Sequence, residues 1–163
     1  MNQKKLSENI WKQCVNSMPI FGIDLLIFCL NRGLLMGRRS NNPAKDKFFV
    51  PGGRVYKNEK MSDAFNRILT SETNLNFSYE ESISIGLYEH FYDVSNWSSK
   101  ECSTHYIIEA RFIEIQPTHL DFKINLSEQH SNFKWVSLDD SNLEDIHLYS
   151  KLYLNKIKKM NSI

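Results

Sequence analysis

Residues 48–75 read FFVPGGRVYKNEKMSDAFNRILTSETNL, and this stretch decides the fold. Its two adjacent glycines, Gly52 and Gly53, let the backbone turn sharply and approach a ligand closely, which a side chain would prevent. Apolar residues then recur at intervals of three and four, which predicts an amphipathic helix over about residues 60–73 with Asn74 as its C-terminal stop. The segment is therefore predicted to be a glycine turn that leads into a helix.

Patterns typical of strands lie on both sides of this central helix. Apolar runs predict strands over Ile20–Leu30, Leu34–Arg39, Ile83–Val94, Thr104–Ile115 and residues 133–138. Helical spacing predicts a short helix over residues 4–16 and one or two helices over Leu143–Ile157. The first two strands are expected to form a hairpin and the next two an antiparallel pair. Together these elements predict an α/β fold, an α+β mixed-sheet sandwich with helices on both faces.

Length and composition limit the architecture and the partners. A chain of 163 residues, 41% hydrophobic and 24% charged, fits a single ordered domain over residues 1–163, in which residues 1–18 read as an N-terminal helical arm. Twenty Lys and Arg against nineteen Asp and Glu give a formal charge of +1. We therefore expect no nucleic-acid partner and no anionic membrane partner, because neither would meet a bulk basic field.

Cysteine usage and the N-terminal sequence indicate the compartment. The chain has three cysteines, Cys14, Cys29 and Cys102, and none forms a CxxC pair, which argues against a disulfide framework or a structural zinc site. The first seventeen residues lack the apolar stretch of a secretory signal, and no segment approaches the roughly 18 apolar residues of a membrane span. The sequence therefore predicts a cytoplasmic protein.

Charged residues on and before the central helix form a candidate site. Glu72 supplies a hard oxygen donor suited to Mg²⁺. Arg67 lies eight residues after Glu59 and five before Glu72, where it can hold one of these carboxylates in position. Arg54 follows the glycines and is predicted to project towards a bound diphosphate. These residues are consistent with a magnesium–diphosphate site, while an ordinary turn followed by a charged surface helix remains the alternative.

The spacing of this segment resembles the signature of the Nudix hydrolases, a loop–helix–loop that binds a divalent metal against a diphosphate. The matching positions are Gly53, Glu59, Arg67, Leu69, Glu72 and Leu75. The chain departs from the common pattern at three positions: Ile68 and Ser71 replace glutamates, and Asn74 replaces a glycine. The lost carboxylates are consistent with an inactive domain or with a subfamily of different chemistry.

Several further blocks resemble one such subfamily, the GDP-mannose mannosyl hydrolases. These blocks are Asn42-Pro43-Ala44, Phe49–Val55, His90-Phe91-Tyr92-Asp93, Thr104-His105-Tyr106 and Glu128-Gln129-His130. The resemblance implies one Mg²⁺ per subunit, held by the Gly52 carbonyl, Glu72 and Gln129, with the substrate diphosphate completing its shell. It also implies that water attacks the anomeric carbon of the sugar with inversion and releases GDP and mannose, with GDP-glucose as a second substrate.

The remaining site predictions combine the resemblance with the chemistry of each side chain. We expect His130 to be the general base and Asp24 to bond sugar hydroxyls or stabilise positive charge. Arg39, which matches the subfamily arginine better than Arg38, is expected to grip a phosphate oxygen to which Tyr106 donates a hydrogen bond. Four further residues are predicted to bind substrate: Leu6, Trp11, Arg54 and His90. The first two match the spacing of a pair that encloses the guanine.

Less specific readings of the same residues stay open. His130 is then a surface residue, Trp11 and Tyr106 are packing residues, His90 and His105 are structural, and Asp24 pairs with a buried cation. At the level of the molecule, the alternatives are a pyrophosphatase that cuts the P–O–P bridge and a noncatalytic nucleotide-sugar binding module. Exchange of the helical arm between two subunits predicts a homodimer.

Overall fold

A computed structural model describes residues 6–93, 103–117, 130–140 and 142–160, with three helices and seven strands in this part of the chain. The helices are α1 (Glu8–Ser17), α2 (Met61–Thr73) and α3 (Leu148–Met160). The strands are β1 (Ile20–Cys29), β2 (Gly33–Arg39), β3 (Phe48–Phe49), β4 (Gly52–Arg54), β5 (Ile83–Tyr92), β6 (Thr104–Glu114) and β7 (His130–Val136). The predicted α/β mixed-sheet fold is confirmed.

All the described strands belong to one mixed sheet. Its main path runs β3-β2-β1-β6-β5, with β4 paired to β1 and β7 paired to β2. The β1–β6 pair is parallel and the other pairs are antiparallel. The predicted β1–β2 hairpin and β5–β6 pair are both present. Gly33 begins β2 with a φ of 93°, a conformation that favours glycine at this tight turn.

The central helix forms where the sequence predicts it, and it covers one face of the sheet. Asn74 follows α2 with a φ of 58°, and its N–H bonds the carbonyl of Thr70, which ends the helix in a left-handed cap. The buried side of α2 contributes Ala64, Phe65, Ile68 and Leu69 to a core with β1 residues such as Leu25. The amphipathic pattern therefore fixes which side of α2 faces the sheet.

The opposite face of the sheet is covered by α3, which begins later than the sequence predicts. Tyr153, Leu154 and Ile157 pack there against a second core. The sequence predicts helix from Leu143 onward, but Ile146 instead forms a bridge with Phe48. The Phe48 N–H also donates to the carbonyl of Asp145. Residues 143–147 thus extend the edge of the sheet, and the helix starts only at Leu148.

The first helix is short and packs on its own chain. It begins at Glu8, and Ser7 has the extended backbone of a helix cap without a capping bond from its side chain. Trp11 and Val15 are buried against Leu6 and Ile20. Within the described residues, no helix is both long enough and apolar enough to span a membrane.

A side chain of α3 closes part of the outer edge of the sheet. The edge strand β5 exposes Leu87 and Phe91 at 67% and 60%. The Tyr149 hydroxyl donates to the carbonyl oxygen of Phe91 at 3.0 Å and accepts its N–H at 2.7 Å. The outward backbone groups of Phe91 are therefore satisfied within the chain.

Candidate functional site

A cleft of about 660 Å³ collects most of the predicted site residues. Its wall includes parts of β1, β2, β4, α2, β5 and β6 together with the start of the chain. The predicted residues that line it are Leu6, Trp11, Asp24, Arg39, Gly52, Arg54, Glu72, His90 and Tyr106. Residues far apart in the sequence are thus brought to one concave surface, which is the usual location of a small-molecule site.

Two predicted residues are not in this lining. Gln129 lies outside the described residues. The backbone of His130 begins β7 and pairs with Arg39 of β2, next to a shift in register. The side chain of His130 lies outside the part of the chain that the structure describes, and its role stays a prediction. Its backbone is nevertheless the cross-strand neighbour of a cleft residue.

The glycine turn forms β4 and lies against the middle of β1. Gly52 pairs with Asp24, and Gly53 with Ile23. A Cβ built on Gly52 would lie 2.5 Å from Oδ1 of Asp24 and 2.8 Å from the backbone oxygen of Ile23. Real Cβ atoms do not approach other atoms this closely, so only glycine fits here. The glycine backbone therefore lies close against β1 in the wall of the cleft.

Of the two carboxylates that the sequence offered to Arg67, the structure pairs it with Glu59. Its Nε and a terminal nitrogen donate to the two carboxylate oxygens of Glu59 at 2.7 and 2.8 Å, and the terminal nitrogen also donates to the carbonyl of Arg54 at 2.9 Å. The bond from Arg67 is the main reason that the pKa of Glu59 is lowered. The same pairing raises the pKa of Arg67. Helix α2 is thereby tied to the turn that precedes it.

Glu72 is the carboxylate of α2 that lies in the cleft. It is 5% exposed, and Ile68, one turn earlier, is 1% exposed. The side chain of Ile68 packs against Gly53, where an added Cβ would meet its Cγ1 at 3.1 Å. Ser71 bonds the carbonyl of Ile68 through its hydroxyl. Within the described ranges, no three His, Cys, Asp or Glu side chains gather as metal ligands.

Arg54 stands between two aromatic rings at the mouth of the cleft. Its guanidinium carbon lies 5.0 Å from the ring centroid of Trp11 and 5.0 Å from that of Tyr56. One face of Trp11 is thus covered by a cation, an arrangement that the sequence did not predict. The buried indole N–H of Trp11 has no acceptor among the described residues. A ligand acceptor would satisfy it.

Arg39 is held at the end of β2 by the loop that follows it. Its Nε donates to the carbonyl of Pro43 at 3.2 Å. The backbone of Arg39 also closes this loop, because its N–H bonds the carbonyl of Lys47 and its carbonyl accepts the N–H of Asp46. The Asn42-Pro43 peptide bond is cis. The loop over residues 40–47 therefore helps to fix where the guanidinium of Arg39 enters the cleft.

Asp24 is buried at 5% exposure, and its partner is a tyrosine. The Tyr153 hydroxyl donates to its Oδ2 at 2.7 Å and lies 3.1 Å from Nε2 of His90. Burial raises the pKa of Asp24 to about 7, against the opposing effects of the Tyr153 bond and the charge of Arg39. Burial also lowers the pKa of His90 to about 3, so this imidazole is neutral at physiological pH.

Sequence reasoning missed the aromatic residues that support this network. Tyr149 stacks on His90 at 3.9 Å between ring centroids, and Tyr92 also lines the cleft. The ring of His147 lies 5.3 Å from that of Phe49. Tyr92 belongs to the quoted block His90–Asp93, which was a usable signal. Nothing in the sequence pairs the tyrosines of α3 with residues of β1 and β5.

Comparisons with known proteins agree with this architecture. The family model of the NUDIX domain matches residues 21–155. The low-salt glycan biosynthesis protein Agl8 of Haloferax volcanii is 31% identical over 153 residues, which cover 94% of this chain and 91% of that protein.

Two solved structures share the fold at low sequence identity. The MutT protein of Methanosarcina mazei Go1 is 19% identical with a TM-score of 0.65, over 90% of this chain and 99% of that one. The NUDIX domain of NrtR from Shewanella oneidensis, complexed with ADP ribose, is 13% identical with a TM-score of 0.67, over 95% and 99% of the two chains.

Proposed function

The chain belongs to the Nudix hydrolase family, and from this premise we propose that it hydrolyses GDP-mannose to GDP and free mannose. GDP-glucose is a second substrate in this proposal. Water attacks the anomeric carbon and inverts it. A single observation carries the proposal: α2 directs one carboxylate, Glu72, into a cleft that also holds Arg39, Arg54 and Tyr106. A nucleotide sugar is also consistent with the glycan-biosynthesis name of the Haloferax relative.

The donors in the cleft fit one divalent cation, which we propose to be Mg²⁺. The backbone carbonyl of Gly52 and the carboxylate of Glu72 are hard oxygen ligands, and Gln129 is the third ligand in this proposal. Ile68 fills the position of a missing carboxylate with an apolar side chain that is 1% exposed. When bound, the cation would supply Lewis-acid neutralisation of the charge on the departing diphosphate.

The cationic and hydroxyl groups of the cleft suit a diphosphate leaving group. Arg39 and Arg54 place guanidinium groups at the cleft, where they would bind phosphate oxygens bidentately. Tyr106 would donate a hydrogen bond to one of these oxygens. Burial raises the pKa of Tyr106, so its hydroxyl keeps its proton at neutral pH. The orphaned indole N–H of Trp11 is a further donor for the nucleotide.

The reaction needs one base and no separate acid. The oxygen of water bonds to the anomeric carbon, the bond from this carbon to the diphosphate oxygen breaks, and its electron pair leaves with GDP. The water proton passes to His130 in our proposal, because neutral imidazole accepts a proton near physiological pH. Asp24, in the cleft wall, would stabilise positive charge that develops on the sugar or bond its hydroxyls.

Hydrolysis in ¹⁸O-labelled water tests where the bond breaks. We expect the label in mannose and none in GDP, as measured by mass spectrometry of the separated products. A pyrophosphatase would instead yield GMP and mannose 1-phosphate with the label in phosphate, and that result would reject the proposal. Tight binding of GDP-mannose in calorimetry without turnover at saturating Mg²⁺ would favour a binding module.

A homodimer in the cytoplasm completes the proposal. The short helix α1 and the residues before it would form an arm, over residues 1–18, that is exchanged between the subunits of a single-domain enzyme. Phe21, Leu87 and Phe91 are exposed apolar side chains at 38%, 67% and 60%, which is consistent with a surface that a second subunit covers.

A further inference from the structure

The two carboxylate oxygens of Asp24 have different surroundings. Oδ1 lies against Gly52, since a Cβ on this glycine would come within 2.5 Å of it. Oδ2 accepts the hydroxyl hydrogen of Tyr153 at 2.7 Å. One oxygen thus lies against the backbone of Gly52 in the wall of the cleft, and the other is bonded to Tyr153 of α3. The carboxylate cannot rotate without losing the bond to Tyr153.

The ring of Tyr153 is held in place by packing. It is 0% exposed and belongs to the core under α3. The ring of Tyr88 meets it edge-on with centroids 5.0 Å apart. A buried aromatic ring with such neighbours keeps one rotamer, so its hydroxyl stays at a fixed point. Tyr153 therefore offers Asp24 a donor whose position does not depend on solvent.

The hydrogens of this network can be assigned from its geometry. A tyrosine hydroxyl has one hydrogen, and this one is directed at Asp24. When the Asp24 carboxylate is ionised, Nε2 of His90, 3.1 Å from the same oxygen, is therefore the donor of the second bond. The His90 ring is buried at 2% exposure and stacks on Tyr149 with an interplanar angle of 10°. With Asp24 ionised, the neutral His90 ring carries its hydrogen on Nε2, and this hydrogen is directed at the Tyr153 hydroxyl oxygen.

We infer that Tyr153 is a positioning residue, which holds Asp24 so that Oδ1 stays in the cleft wall beside Gly52. In the same network His90 orients the Tyr153 hydroxyl and acts through it. The inference rests on the proposed function, because it assumes that Asp24 contributes to turnover. It assigns a role in the reaction to a core residue of the C-terminal helix, which does not line the cleft.

The substitution Tyr153→Phe tests this role, because it keeps the ring and its packing but removes the hydroxyl. We expect kcat for GDP-mannose to fall about 10- to 100-fold, the usual effect of losing a hydrogen bond to a charged group. KM and the affinity for GDP should stay near wild type, because Tyr153 does not touch the nucleotide. Unchanged kcat, or a rise in KM alone, would overturn the inference.

Tyr88→Phe is the matched control. Tyr88 packs directly on Tyr153, and its hydroxyl has no hydrogen-bond partner in the structure's described residues. Removing it changes the same aromatic cluster without touching Asp24. We expect wild-type kcat in this variant. If both variants lose kcat equally, the effect belongs to core packing, and the positioning role is wrong.

A double-mutant cycle separates action through Asp24 from a general loss of stability. In the background of Asp24→Asn, we expect Tyr153→Phe to lower kcat by less than twofold, because the group it positions is already gone. Equal fold losses in both backgrounds would contradict the inference. Melting temperatures of all four proteins show whether each is folded at the assay temperature.

A readout without turnover keeps this test distinct from that of the proposed function. In a crystal structure of Tyr153→Phe with GDP bound, we expect the Asp24 carboxylate to leave its position against Gly52. An unmoved carboxylate overturns the positioning role even if the enzyme hydrolyses GDP-mannose. A displaced carboxylate in an enzyme that yields GMP supports the positioning role and rejects the proposed function.

Discussion

Ile68 and Glu72 lie one helical turn apart on α2, and both line the cleft. An isoleucine that is 1% exposed against Gly53 cannot ligate a cation, whereas Glu72 offers an oxygen donor in the lining. Sequence comparison with the common Nudix pattern identified the substitution, and the structure gives its physical form. An apolar side chain that packs in the core occupies the position of the missing carboxylate, so this position is filled by isoleucine and is not left empty.

The role of His130 as the proposed general base can be tested by substitution. In His130→Gln we expect kcat for GDP-mannose to fall by about 100-fold or more, because a general base typically contributes this much. The affinity for GDP in calorimetry should change little, because the base acts on water. The acid limb of the pH–rate profile should also disappear with the imidazole. A variant that keeps the wild-type profile would remove His130 from the mechanism.

The site could be predicted from sequence only where its residues are near one another or belong to recognised blocks. Arg67 was predicted to hold one of two nearby carboxylates, Glu59 or Glu72, and the structure shows that it holds Glu59. Tyr153 and Asp24 are 129 positions apart, and their bond depends on how α3 packs across the sheet. No local pattern encodes such a contact, so the support of Asp24 was not predicted.

Among the elements, the short strand β4 is the part of the fold most directly tied to the site. It lies on β1 so closely that Gly52 has no room for a side chain. The helix that follows is tied back to it through the bond between Arg67 and the carbonyl of Arg54. The turn, the strand β4 and the helix α2 are therefore joined by direct contacts.

Gly52→Ala tests how tightly this unit is packed. The added methyl group would meet Asp24 and the backbone of Ile23, so we expect the free energy of unfolding to fall by about 1–3 kcal/mol, as in other overpacked sites. Gly53→Ala is the matched variant, because the nearest atoms to its Cβ would be those of the Ile68 side chain at 3.1 Å or more, with no backbone atom as close. Urea denaturation without added metal compares the two proteins. A larger loss in Gly53→Ala would contradict the geometry.

The start of α3 determines part of the pH dependence of stability. Nδ1 of His147 accepts the N–H of Tyr149 at 3.4 Å, which caps the first turn. Burial, with smaller contributions from the charges of Arg39, Lys151 and Lys47, lowers the pKa of His147 to about 4. In the unfolded chain the imidazole binds a proton near pH 6.5. Between these values the unfolded state binds more protons, so stability falls as the pH falls.

His147→Asn removes this titration and keeps a helix-capping side chain. We expect the free energy of unfolding of the variant to fall less steeply than that of wild type between pH 6.5 and about 4. The difference in slope should reach at most about 1.4 kcal/mol per pH unit, the value for one proton. Urea denaturation across this range measures it. Parallel curves for the two proteins would show that His147 is not the group responsible.

Element boundaries were predicted best where one amphipathic pattern stands alone. The predicted helix over residues 60–73 agrees with Met61–Thr73 because its apolar face has one partner, the sheet. The apolar residues Leu143 and Ile146 carried the same spacing, but Ile146 is used in a bridge to Phe48. Apolar residues three or four positions apart thus form a helix in one segment and a bridge to the sheet in the other, and only tertiary contacts distinguish the two cases.

At the scale of the whole molecule, the N-terminal segment leaves apolar side chains exposed that a second copy would cover in the proposed dimer. Helix α1 packs on its own chain through Trp11 and Val15, with Ile10 and Met18 exposed at 48% and 57%. An arm of this kind has apolar surface left for a partner. The structure of one chain is therefore compatible with the arm exchange predicted from the sequence.

Sedimentation velocity tests the dimer. At micromolar concentration we expect a single species with twice the mass of the chain, and we expect a variant that lacks residues 1–18 to sediment as a monomer. The truncated protein must keep its circular dichroism spectrum for this comparison to count. A full-length protein that sediments only as a monomer would end the proposal of arm exchange.

The bonds between Tyr149 and Phe91 have a consequence for how this protein behaves at high concentration. A strand with unused amide and carbonyl groups is a template on which further chains can add one after another, as in fibrils. The exposed side chains of Leu87 and Phe91 would add apolar contacts with such a chain. The Tyr149 hydroxyl occupies both the amide and the carbonyl of Phe91, so a further chain could not pair with this residue of the edge without displacing it.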